Sequence, residues 1–77
     1  MKPNVENTEY EQIVKNIAQR IKLVRQELGK NQGKVATYLG QSQSYISKIE
    51  SGKQVVAAAE LKLLSNFYKK PITYFFD

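Results

Sequence analysis

The chain has no cysteine and no histidine among its 77 residues. Without cysteine there are no disulfides and no thiolate metal sites. Without histidine the commonest general base and the commonest metal ligand are both missing. Proline stands only at Pro3 and Pro71, and glycine only at Gly29, Gly33, Gly40 and Gly52. The longest uninterrupted apolar run, Val55 to Ala59, is far too short to span a bilayer. No charged-then-apolar leader opens the chain, so the expected address is the cytoplasm. Internal repeats, low-complexity tracts, a Gly-rich phosphate loop and a stretch of alternating polarity long enough for a sheet are all absent.

What is present suits one small domain. A chain of this length buries only about 60% of its unfolded surface, so its core must be compact. A hydrophobic fraction of 42% is enough for such a core, and 25% charged residues is ordinary. The charge is unevenly placed. In residues 1–11 Lys2 stands against Glu6, Glu9 and Glu11, a net of −2, while residues 12–77 hold 11 basic and 4 acidic groups, a net of +7. Such a body attracts polyanions, nucleic acid first and anionic membrane surface second. Charge alone does not separate these from excess lysine that merely confers solubility.

The pattern predicts five short helices. Residues 1–8 are polar and expected to be a flexible segment, with the folded domain spanning 9–77. Thr8 and Glu11 fit a capping box for a first helix from about Glu9 to Leu28, whose apolar stripe is Ile13, Ile17, Ile21, Val24 and Leu28. Gly29 ends it. Asn31 caps a second helix, Gln32 to Leu39, with Val35, Ala36 and Leu39 inward and Gly40 closing it. Ser42 caps a third, Gln43 to Glu50, stopped by Ser51-Gly52. A fourth fits Ala58 to Tyr68, with Leu61, Leu64 and Tyr68 inward. Pro71 breaks it, and Thr73 is placed to cap a final aromatic turn in which Ile72 and Phe75 close the core.

Only Gly40-Gln41-Ser42 separates the second helix from the third. That is the tight, glycine-containing turn of a helix-turn-helix, in which the following helix can enter a major groove. On a wheel of about 100° per residue starting at Gln43, Ile46 falls near 300° and Ile49 near 240°. Ser47 falls near 40°, Ser44 near 100° and Lys48 near 140°, on the face away from the core. Gln43, Ser44, Ser47 and Lys48 all hydrogen-bond and none is acidic. Gln pairs bidentately with adenine, Lys donates to guanine, and Ser addresses either. A generic solvated helix face usually mixes in Glu or Asp. Tyr45, near 200°, reads as packing first and a phosphate contact second.

From Ile17 to Phe76 the chain resembles the phage repressor/Cro-like, or XRE, helix-turn-helix domains. The resemblance is carried by Ile17-Ala18-Gln19-Arg20-Ile21-Lys22-Leu23-Val24-Arg25, by Asn31-Gln32, and by Val35-Ala36-Thr37-Tyr38-Leu39-Gly40. Its most specific part is Ser42-Gln43-Ser44-Tyr45-Ile46-Ser47-Lys48-Ile49-Glu50-Ser51-Gly52-Lys53. The resemblance implies an all-α, lambda-repressor-like bundle that binds double-stranded DNA and regulates transcription, most often as a repressor. It implies base reading by Gln43, Ser44, Ser47 and Lys48, and phosphate contacts by Asn31, Gln32, Ser51 and Lys53. It also implies a largely buried ion pair between Arg25 and Glu50, and two-fold pairing through the C-terminal end, where Tyr74 and Phe76 are left for a second copy. No enzymatic activity, cofactor, metal, membrane or small-molecule ligand is expected of the domain. Four features depart from the family pattern: Lys30 at a usually apolar position, Val56-Ala57 in place of a Pro-Ser start to the fourth helix, Lys70 at a position often valine, and extra helical turns before Ile17.

Three other readings compete. An enzyme would have to work with scattered carboxylates, lysines and tyrosines, no pair of which is placed credibly in a cleft. A membrane-surface binder would need the apolar stripes that the core requires. An antitoxin-like protein-interaction module on a helix-turn-helix scaffold is harder to separate, since fold does not dictate function. The discriminating feature is the acid-free face of the third helix.

Overall fold

The computed structural model describes residues 7–77. Among them there are four α-helices and no strand: α1 (Asn7–Glu27), α2 (Gln32–Leu39), α3 (Gln43–Ser51) and α4 (Ala58–Tyr68), followed by a 3-10 turn, Ile72–Phe76. The first helix therefore includes Asn7 and Thr8, so Thr8 lies inside it and does not form the expected capping box. The rest of the segment expected to be flexible, residues 1–6, lies outside the described residues.

The helix ends follow local chemistry. Asn31 Oδ1 accepts the Lys34 amide at 2.8 Å, and Ser42 Oγ accepts the Tyr45 amide at 3.1 Å. Each cap satisfies one of the donors that a helix start leaves without a partner, a contribution of about 1 kcal/mol. Gly40 (φ +68°) and Gly52 (φ +79°) turn the chain out of α2 and α3 in the left-handed region that glycine enters without steric cost. Helix α4 has neither advantage: Ala57 supplies no side-chain cap, and the closing left-handed position is Lys69, at φ +56°. Replacing Lys69 by glycine relieves its Cβ, and is expected to stabilise the domain by about 1 kcal/mol in chemical denaturation. An unchanged or lowered midpoint would show that the Lys69 side chain compensates for its backbone. Pro71, not Thr73, precedes the final turn, with Thr73 inside it; the fixed φ of proline suits a first position that needs no amide donor.

Ile21, Val24, Val35, Ile46, Ile49, Leu64 and Phe75 are essentially fully buried and, with Ala36, Leu61 and Tyr68, form one core. Burying side chains of this size contributes about 1.5–3 kcal/mol each before conformational entropy is counted. Leu39, Ile17 and Ile72 pack against this core while partly exposed. The apolar stripe expected along α1 is shorter than its sequence pattern. Ile13 is 51% and Leu28 47% exposed; Ile13 lies one turn before Ile17, which packs on the core, and Leu28 lies just past the end of the helix. Phe75 plugs the core where the C-terminal turn packs on α1. Lys70 does not disturb this end, for its carbonyl accepts the buried Ser65 hydroxyl and its ammonium lies over the Tyr74 ring. Lys30 likewise replaces an apolar contact by a cationic one, its Nζ 5.8 Å from the Phe67 ring centre.

Candidate nucleic-acid interface

Helix α3 is held from both sides. Ile46 and Ile49 anchor its inner face in the core. On one flank, the Tyr45 hydroxyl donates to Glu60 Oε1 on α4, and Gln41 Nε2 of the turn donates to Glu60 Oε2 at 2.9 Å. Burial and the adjoining Glu60 carboxylate push the Tyr45 phenol up to about 12, so it stays a neutral donor at physiological pH. Glu60 escaped the sequence reading. Its one sequence signal is an acid in the first turn of a helix without a side-chain cap, where a negative charge is favoured.

On the other flank, Arg25 of α1 grips Glu50 with two bonds, Nε to Oε2 at 2.6 Å and Nη2 to Oε1 at 3.0 Å. The Arg25 side chain is 13% exposed and that of Glu50 3%. Arg25 Nη1 also donates to the Lys30 carbonyl at 2.9 Å, and Gln32 Nε2 donates to Glu50 Oε1 at 3.1 Å. The hydrogen bond to Glu50 raises the Arg25 pKa above its ordinary value, outweighing burial, which lowers it. One bidentate pair thus fastens α1, the start of α2 and the end of α3 together.

Fixed in this way, α3 turns outward the four residues singled out by the sequence: Gln43, Ser44, Ser47 and Lys48 are all exposed. The only acid in the helix, Glu50, is buried. The neighbouring candidates are less free. Gln32 has one amide hydrogen committed to Glu50, leaving a second available. Asn31 uses its oxygen as the α2 cap, which leaves its NH₂ to donate. The single hydroxyl proton of Ser51 is directed to the Lys48 carbonyl at 3.1 Å, so Ser51 must turn before it can donate to a phosphate. Lys48 O also accepts the amides of Lys53 and Gln54, at 3.0 and 3.2 Å, which ties the following loop to the end of α3. Lys53 itself is exposed.

The two C-terminal aromatics part company. Phe76 is 57% exposed. Tyr74, expected beside it on the outside, is half-buried against the core, with Arg20 and Lys70 each 5.2 Å from its ring centre and Phe75 edge-on to it. The correction has a physical cause: in a 3-10 turn neighbouring residues diverge by about 120°, so burying Phe75 draws the rings beside it to different sides. Among the described residues no helix is long and apolar enough to cross a membrane.

A helix-turn-helix family profile matches residues 21–75, most of the chain, and the chain belongs to that family, the Cro/C1-type regulators. A solved structure similar to this chain is the restriction-modification controller protein C.AhdI from Aeromonas hydrophila. It is 22% identical, with a TM-score of 0.75 over 82% of this chain and 96% of that one. At that identity the likeness shows the fold. No curated protein matches the chain in sequence. Proteins of the family bind double-stranded DNA and are generally non-enzymatic, and this chain is a DNA-binding transcription regulator.

Proposed function

We propose that this protein is a cytoplasmic repressor that binds a near-palindromic duplex site as a homodimer, each copy laying α3 in the major groove. The observation that carries this reading is the exposed, acid-free face of Gln43, Ser44, Ser47 and Lys48 on a helix locked from behind. A rigid reader loses little conformational freedom on binding. In this reading Gln43 and Lys48 carry most of the base discrimination, with Ser44 and Ser47 adaptable. Asn31, Gln32 and Lys53 hold phosphates on either side, and Ser51 joins them after turning its hydroxyl.

The dimer follows from arithmetic of recognition and from one exposed ring. A helix of 9 residues reaches only a few base pairs, and doubling it by symmetry lengthens the site read. Phe76 borders an apolar groove of about 220 Å³ walled by Ile17, Val55, Val56 and Leu61, which offers a surface for a second copy. Occupancy of an operator by such a dimer excludes other proteins from the same groove, which is how repression would arise.

Selection of bound sequences from a random duplex library, with the mass of the complex measured in solution, tests the reading. The expected result is inverted half-sites centred about 34–36 Å apart, carrying two protomers. A single short asymmetric site with one protomer would remove the dimer. Failure to enrich any sequence would favour the antitoxin-like interaction module.

A further inference from the structure

The first turns of α1 do little for the core. Ile13 is half exposed, Val14 only half-buried, and the first buried residue of the helix is Ala18. Yet this overhang lies alongside the loop that leaves α3. A Cβ added to Gly52 would sit 3.7 Å from Lys15 Cγ, ordinary contact distance, so the Lys15 stem runs against the loop backbone. Lys15 and Lys53 line one cleft of about 350 Å³, together with Tyr10, Val14, Gly52 and Val55. Neither lysine ammonium makes an ion pair or hydrogen bond among the described residues. Glu11 lines the same cleft, which still leaves it with a net positive charge.

We infer that this cleft holds a DNA backbone phosphate, gripped jointly by Lys15 from the α1 overhang and Lys53 from the α3–α4 loop. The inference rests on the DNA-binding reading and adds to it a contact outside the helix-turn-helix. The Lys53 amide is bonded to the carbonyl of Lys48, so the cleft adjoins the end of the reading helix, where a strand bordering the major groove must pass. Lysine suits this place. Its compact charge on a flexible stem follows a phosphate without demanding the planar register of a guanidinium. The small Gly52 leaves room for the backbone to approach. Glu11 becomes the informative neighbour, because a carboxylate beside a bound phosphate opposes it.

The test is binding of the full chain and its variants to the selected site and to random duplex across a salt series, with thermal melts confirming that each variant is folded. Lys15→Gln is expected to weaken both duplexes alike and to reduce the magnitude of the salt slope by about 0.9. Between 50 and 200 mM salt its affinity then falls about 3.5-fold less than that of the parent. Lys15→Arg should retain the parental slope. Glu11→Gln should tighten both duplexes, an effect that a purely structural role for the overhang does not produce. A parent that binds, with Lys15→Gln unchanged in slope or Glu11→Gln no tighter, overturns the shared phosphate site and leaves the DNA-binding reading standing. A parent that binds neither duplex overturns both.

Discussion

Arg25→Ala is expected to destabilise the domain by about 3–5 kcal/mol, the largest effect of any substitution considered, because it strands the Glu50 carboxylate in the interior. That carboxylate is 3% exposed, and without Arg25 its remaining side-chain partner is the neutral amide of Gln32. Glu50→Ala should cost less. The guanidinium it leaves behind is 13% exposed, keeps its bond to the Lys30 carbonyl, and is near enough to the surface to rehydrate. Lys22→Ala, at an exposed position on the same helix, should stay within about 0.5 kcal/mol of the parent. The measurement is urea denaturation of the single variants and the Arg25→Ala/Glu50→Ala double variant. The double variant should lose clearly less than the two single losses combined, since neither charge is then left alone. Additive losses would mean that the pair contributes nothing as a pair. Arg25→Lys is not a mild change here, because an ammonium cannot reproduce the two parallel bonds to Glu50 and the third to Lys30.

Substitution of Gln43 by alanine is expected to cost about 1–3 kcal/mol on the best duplex and to blur preference at one position in each half-site. Gln43 is exposed at the first position of α3, where a side chain reaches furthest into a groove entered by the helix N-terminus. Its binding to random duplex should change much less, since a neutral amide adds little to the phosphate term. Lys53→Ala should do the reverse, weakening all duplexes alike and reducing the salt slope by about one unit. Lys48→Ala lies between these limits, with a loss on the best site and a smaller loss in salt dependence. Specific and random duplexes measured over the same salt series separate the three. If Gln43→Ala held its best site as tightly as the parent, α3 would not be the reader, and the acid-free face would be solvated surface after all.

Much of this was legible in the sequence because it depends on neighbours in the chain. The α2 and α4 boundaries follow from Asn31, Gly40 and the apolar spacing, and the acid-free face of α3 follows from helical periodicity around Ile46 and Ile49. Where the local reading erred, the cause was tertiary. Ile13 and Leu28 continue the stripe in the sequence, but Ile13 stands half exposed beside Phe76 and Leu28 lies just past the end of α1, so neither joins the core. Tyr74 looked as free as Phe76 until the direction of the C-terminal turn placed it under Arg20 and Lys70. The caps expected of Thr8 and Thr73 fell inside helical turns, and a threonine followed by helical pattern does not itself say which residue starts the helix.

Sequence alone determined the helix-turn-helix and the chemistry its third helix displays, because caps, glycine turns and a 3.6-residue period act over one or two turns of chain. Tertiary structure decided how that helix is held and what lies beside it. Glu60 reaches back 15 residues to Tyr45, Arg25 reaches forward 25 to Glu50, and Lys15 meets the loop at Gly52 and Lys53. Each of these pairings joins residues far apart in the chain whose side chains are brought together only when the buried faces of α1, α3 and α4 close on a common core.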